Sequence, residues 1–128
     1  MDFSCIDKVE LKELYNVLPF IPPGLKIYLC RKILFRGKDV TKFLRGMYRW
    51  ELNEIWLTPY ATPRTVLHEL AHAILCMREP ELCQRHAIDA AIRPLLRIEI
   101  EKKVEEITRE LERKVDLSRI EQILQRYV

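Results

Sequence analysis

Two of the chain's three histidines, His68 and His72, stand four residues apart in TVLHELAHAIL, residues 65–75, with Glu69 between them. On a helix, side chains four apart lie on one face, one turn above the other. Both imidazoles can then meet a single Zn²⁺ at about 2.0–2.1 Å. Glu69, next to His68, would reach a metal-bound water rather than the ion. It would take that water's proton as general base while zinc lowers the water's pKa. Leu67, Leu70, Ala71 and Ile74 make the opposite face apolar, so the helix is amphipathic with its ligands on the open side. Two surface histidines on an ordinary helix would spell the same short text. The apolar face, the strand before the motif and the helix cap speak for the metal reading.

A catalytic zinc needs a third protein ligand. Downstream candidates are Glu79, Glu81, His86 and Asp89. The spacing of metzincins would require a histidine at position 78, which is Arg78. Glu81 falls in the first turn after Pro80 and His86 in the second, deeper along a wall facing the site. His86 is the expected ligand and Glu81 the alternative. Asp89, three residues after His86, can accept a hydrogen bond from a ligand histidine and fix its orientation.

These residues need elements to hold them. Residues 4–18 read as a helix, with Ile6, Val9, Leu14, Val17 and Leu18 roughly on one face. The run LPFIPPG ends it. KIYLCRKILF is rich in β-branched and aromatic residues, and MYRWELNEIWLT reads as a hairpin. Thr62-Pro63 is a cap and first position for the motif helix, which should end near Met77. Glu79-Pro80 opens another helix, ended or kinked by Pro94. Ile100, Val104, Ile107, Leu111 and Val115 sit at helical spacing, and Ser118 with Glu121 suggests a capping box for a last helix. The expected class is α+β: a small sheet of about three strands, antiparallel or mixed, packed on an N-terminal helix, the motif helix and a ligand helix. Residues 1–94 would form the minimal catalytic domain and 95–128 a C-terminal amphipathic segment.

Composition narrows the setting. The 128 residues are 48% apolar and 32% charged, ordinary for one globular domain. The net charge of +3 is uneven, because Lys26 to Arg49 holds eight basic residues against Asp39 alone. Such a block attracts nucleic acid or forms a solvated face. No export signal or membrane span is visible, which points to a cytoplasmic protein. Cys5, Cys30, Cys76 and Cys83 form no Cys-x-x-Cys pair and are expected as free thiols.

The order of helix, small sheet, NEIWLT strand, HELAH helix and ligand helix resembles a gluzincin metallopeptidase. It is most similar to the minigluzincins, small soluble relatives of the catalytic domains of certain integral-membrane peptidases. The resemblance is sharp over residues 53–91. It implies a zinc-dependent metalloendopeptidase with one Zn²⁺ per chain, a peptide or protein substrate, and a histidine third ligand, which carries over to His86 in PELCQRHAIDAA. It also implies latency, with residues 95–128 covering the cleft within one chain or exchanged in a homodimer. The substrate would pair with the strand Asn53 to Thr58. Tyr60, Arg93 and Tyr127 are candidates near the oxyanion, and Trp50 and Trp56 either line the cleft or fill the hairpin core.

Two readings compete. SprT-like proteases that act on nucleic-acid-bound protein carry a similar motif, and the basic block would then grip phosphate, although Ala87 follows His86 where that family has glycine. A non-catalytic, zinc-stabilised regulatory module is the other.

Overall fold

The computed structural model describes residues 2–83 and 94–127, the latter without the side chains of 94–96. The chain is α+β, with one mixed five-stranded sheet among the described residues. Strand β1 is Phe3–Glu10, β2 is Lys26–Phe35, β3 is Lys38–Asp39, β4 is Gly46–Arg49 and β5 is Glu54–Leu57. The order across the sheet is β1-β2-β5-β4, with β3 paired to β2. β1 and β4 run antiparallel to their neighbours, whereas β2 and β5 are parallel, from Lys26↔Glu54 to Leu29↔Leu57.

The expected N-terminal helix is corrected. Residues 3–10 pair with the long β2 strand from Phe3↔Phe35 to Glu10↔Tyr28, and only Leu14–Val17 (α1) is helical. Ile6 and Val9 fit a helical period, but they are β-branched and suit an extended chain as well. The partner strand decided between the two, and it lies far off in sequence. β3 arises in a two-residue hairpin whose Arg36 and Gly37 both have positive φ, 49° and 83°. That is the turn matching strand twist. These two strands take the sheet from about three to five. The expected hairpin of β4 and β5 is present, in register from Gly46↔Leu57 to Arg49↔Glu54.

The helices cover one face. α2 is Pro63–Arg78, α3 is Pro94–Glu112 and α4 is Leu117–Tyr127. Thr62 and Thr65 cap α2 reciprocally, side chain to backbone in both directions, with Pro63 at the first position. α3 is described from Pro94 onward and ends at Glu112. The cap of α4 is Asp116 rather than the expected Ser118, since Asp116 Oδ1 accepts from the Ser118 backbone N–H at 3.0 Å.

Ile27, Leu29, Ile55 and Leu57 of the sheet pack against Val66, Leu67, Leu70 and Ile74 of α2. Ile100, Val104, Ile107 and Leu111 of α3 and Ile120, Ile123 and Leu124 of α4 belong to that same core. Residues of 1–94 and 95–128 thus share one apolar interior. Trp56 points to the opposite sheet face and forms a second cluster with Cys30 and Ile33.

The four cysteines are two disulfides, Cys5–Cys30 and Cys76–Cys83, not free thiols. Pairing β1 on β2 brings Cys5 and Cys30 to 5.3 Å between Cα atoms across 25 residues. A helical turn at residues 80–83 folds Cys83 back to the last turn of α2. No helix among the described residues is long and apolar enough to cross a membrane.

Candidate metal centre

The motif helix presents His68 and His72 on one side, with ring centroids 4.9 Å apart and the planes steeply inclined. Its other side is the core, where Leu67, Leu70, Ala71 and Ile74 are at most 3% exposed. A third donor comes from α3. Ligand atoms of His68, His72 and Glu101 all lie within 4.8 Å of one another. Donors 2.0–2.1 Å from a tetrahedral ion are about 3.3 Å apart, so small side-chain rotations would close this set on a metal. Two imidazoles and a carboxylate are a donor set that suits zinc.

Glu69 sits between the histidines in sequence but not in environment. It is 8% exposed, against half-buried histidines. Its pKa is raised from the ordinary 4.5 to about 7, chiefly by burial and then by the nearby Glu101 carboxylate, against the opposing effect of a hydrogen bond accepted from the Tyr48 backbone N–H. A cation held by the two histidines and Glu101 would pull the same group down.

That Tyr48 contact places the motif helix beside β4. β4 is the outer strand of the sheet, and β5 is enclosed between β2 and β4. The expectation that Asn53 to Thr58 offers a free edge to substrate is therefore corrected, because both edges of that strand are already paired. The available edge next to the site is β4. Close approach there depends on Gly46: a Cβ on it would stand 3.0 Å from Thr65 Cγ2 and 3.1 Å from Leu57 Cδ2.

Two cavities flank the donor set. One, of about 450 Å³, is lined by Arg45, Arg64, Thr65, His68, Glu105 and Thr108 among others. The second, of about 280 Å³, is lined by Met47, Tyr48, Trp50, His72, Leu82 and Ile100 among others. Gly46 and Glu69 line both. Together they make a groove along β4 that passes over Glu69.

Of the other expected site residues, His86, Asp89 and Arg93 lie outside the described residues. Glu81 is exposed and is not part of the donor group among the described residues. Tyr60 is 56% exposed and lines neither cavity, and Tyr127 packs on the main core. Trp50 lines the cavity beside His72, whereas Trp56 is a core residue donating to Glu54 at 3.0 Å. In the basic block, Lys26, Arg36 and Arg49 each meet a carboxylate, of Glu10, Asp2 and Glu51 respectively. The block is thus less cationic than its sequence.

Glu101 and the Tyr48 N–H were missed in the sequence. A backbone donor leaves no mark in it. Glu101 did leave one: with Glu105 and Thr108 it forms a stripe at i, i+4 and i+7, adjoining the apolar stripe of Ile100, Val104 and Ile107. No protein-family model, curated protein or solved structure matches this chain. The functional reading therefore rests on the geometry of the donor group and its groove.

Proposed function

We propose that the chain is a zinc-dependent metallopeptidase of the His-Glu-x-x-His type, akin to the gluzincins, with His68, His72 and Glu101 as metal ligands and Glu69 as general base. The observation that carries it is the donor group: the two motif histidines and a carboxylate from a following helix come within ligand reach of one another, beside a buried glutamate. A zinc ion bound there would supply Lewis acidity toward a peptide carbonyl and a water molecule. Glu69 would accept the water's proton and pass it to the leaving amine. The Tyr48 N–H orients the Glu69 carboxylate for that transfer. An extended peptide adds to the outer edge of β4, where backbone pairing holds it across the groove.

In this reading α3 completes the site and the core, and is not a removable cover. Zinc content measured on purified protein should be one per chain in wild type and near zero in His68→Ala. Glu101→Gln should weaken zinc affinity by 10–100-fold, and His86→Ala should leave it within about twofold. Glu69→Gln should retain zinc and lose hydrolysis of a casein or mixed-peptide substrate. Equal hydrolysis by wild type and Glu69→Gln would overturn the mechanism. Loss of zinc in His86→Ala but not in Glu101→Gln would overturn the ligand set.

A non-catalytic zinc module is the second reading, favoured by the deep embedding of α3 in the core. It predicts stoichiometric zinc, a large loss of thermal stability on chelation, and no hydrolysis by the wild type.

A further inference from the structure

The two cavities on either side of Glu69 differ in chemistry, and the difference defines a substrate. Next to His72 the wall is mostly apolar, with Met47, Trp50, Leu75, Leu82 and Ile100 beside Tyr48 and Cys83. Next to His68 it carries Arg45, Arg64 and Glu105. Arg64 is committed to Glu105 at 3.6 Å and Glu112 at 2.7 Å, and Glu105 is shared with Arg109 at 3.4 Å. Those two arginines and two glutamates balance. Arg45 stands outside that network, with no ion pair to its guanidinium among the described residues. Its main chain is pinned, since its carbonyl accepts from the Thr58 backbone N–H at 3.1 Å and the Thr58 hydroxyl at 3.3 Å. A long cationic side chain thus springs from a fixed point at the mouth of the larger cavity.

The strand direction sets which part of a peptide meets which cavity. β4 runs from Gly46, next to Arg45, to Arg49, next to Trp50. Antiparallel addition is the more stable pairing, and it places the C-terminal side of a bound peptide at Arg45 and the N-terminal side at Trp50. Resting on the peptidase reading above, we propose that the groove selects peptides with a large apolar residue before the scissile bond and a carboxylate after it, held by Arg45. The carboxylate is the side chain of an Asp or Glu, or a chain terminus, and both present the same planar acceptor to a guanidinium.

The test uses zinc-loaded Glu69→Gln protein, so that binding is read without turnover. The probes are acetyl-Ala-Leu-Phe-X-Ala-amide peptides with X as Glu or Lys, and the free-acid peptide ending at Phe-Ala, titrated by isothermal calorimetry. The Glu and free-acid peptides should bind at least tenfold tighter than the Lys peptide. Adding Arg45→Gln should bring all three within about twofold, and Arg45→Glu should invert the order. Replacing Phe by Ser should cost a further tenfold, an effect lost in Trp50→Ala. Circular dichroism and zinc content identical to the parent confirm that the Arg45 variants fold. Equal binding of the Glu and Lys peptides, or a preference that survives Arg45→Gln, overturns the proposal. If selective binding is seen while zinc-loaded wild type cleaves none of the peptides, the groove stands and the hydrolytic reading falls.

Discussion

Glu69 shows how one residue's role follows from its surroundings. His68 before it belongs to the donor group and Leu70 after it to the core, while its own side chain is 8% exposed beside β4. Burial, aided by the Glu101 carboxylate, lifts its pKa to about 7. A carboxyl whose folded pKa lies above its unfolded value of 4.5 binds its proton more tightly when folded. Its favourable contribution is complete below about pH 4.5 and is lost as pH rises through about 7. Metal-free protein should therefore lose stability between those values, by at most about 3.5 kcal/mol at about 1.4 kcal/mol per pKa unit. Metal-free Glu69→Gln should show a flatter profile over the same window in urea melts, since its amide does not titrate. Parallel profiles for the two proteins would show that Glu69 is not the buried acid described. The histidine pair was legible at this scale because two donors on one helix need only local spacing. Glu101 was not, because the third donor of the group is set by how α3 crosses α2.

At the scale of elements, the helix ends and the close crossing of β4 on α2 carry the local energetics. Asp116 caps α4 through Ser118, so Asp116→Ala should cost about 1 kcal/mol in thermal or urea unfolding, and Ser118→Ala less. An equal or larger loss from Ser118→Ala would restore the cap read from the sequence. Gly46 has no room for a methyl group between Thr65, Leu57 and the Trp56 carbonyl. Gly46→Ala should destabilise by about 1–3 kcal/mol, the range for overpacking. In the proposed enzyme it should also lower turnover while zinc is retained, because α2 must shift away from β4 and so from the Tyr48 N–H that anchors Glu69. Thr62 and Pro63 announced α2 correctly, since capping is chemistry between near neighbours. Residues 3–10 misread as helix because their apolar spacing suits two periods, and only pairing with Lys26–Phe35 selects the extended one.

For the whole molecule the question is whether residues 95–128 are a cover or a part of the body. Ile100, Val104, Ile107, Leu111, Ile120, Ile123 and Leu124 are each at most 8% exposed within the main core. Burial of such side chains is worth about 1.5–3 kcal/mol each. Their sum matches or exceeds the 5–15 kcal/mol that typically holds a domain folded. Truncation after residue 93 should therefore yield an unfolded or aggregated chain by circular dichroism. A folded, more active fragment would support a latent enzyme instead. The disulfides bear on the setting in the same way. They persist where thiols are oxidised, or in hyperthermophile cytosol, so free thiols no longer support a cytoplasmic location.

By itself the sequence determined the motif helix, its cap, its amphipathic faces and the β4–β5 hairpin, because each depends on residues within about one helix or turn of one another. It also determined that α3 and α4 are amphipathic. Tertiary structure alone decided that β1 is a strand, that Cys5 meets Cys30, that β4 and not β5 is the edge beside the site, and that Glu101 joins His68 and His72. Each of these joins residues more than twenty positions apart, or depends on a strand's place in the sheet, and the packing of sheet and helices selects it from many pairings that local chemistry leaves equal.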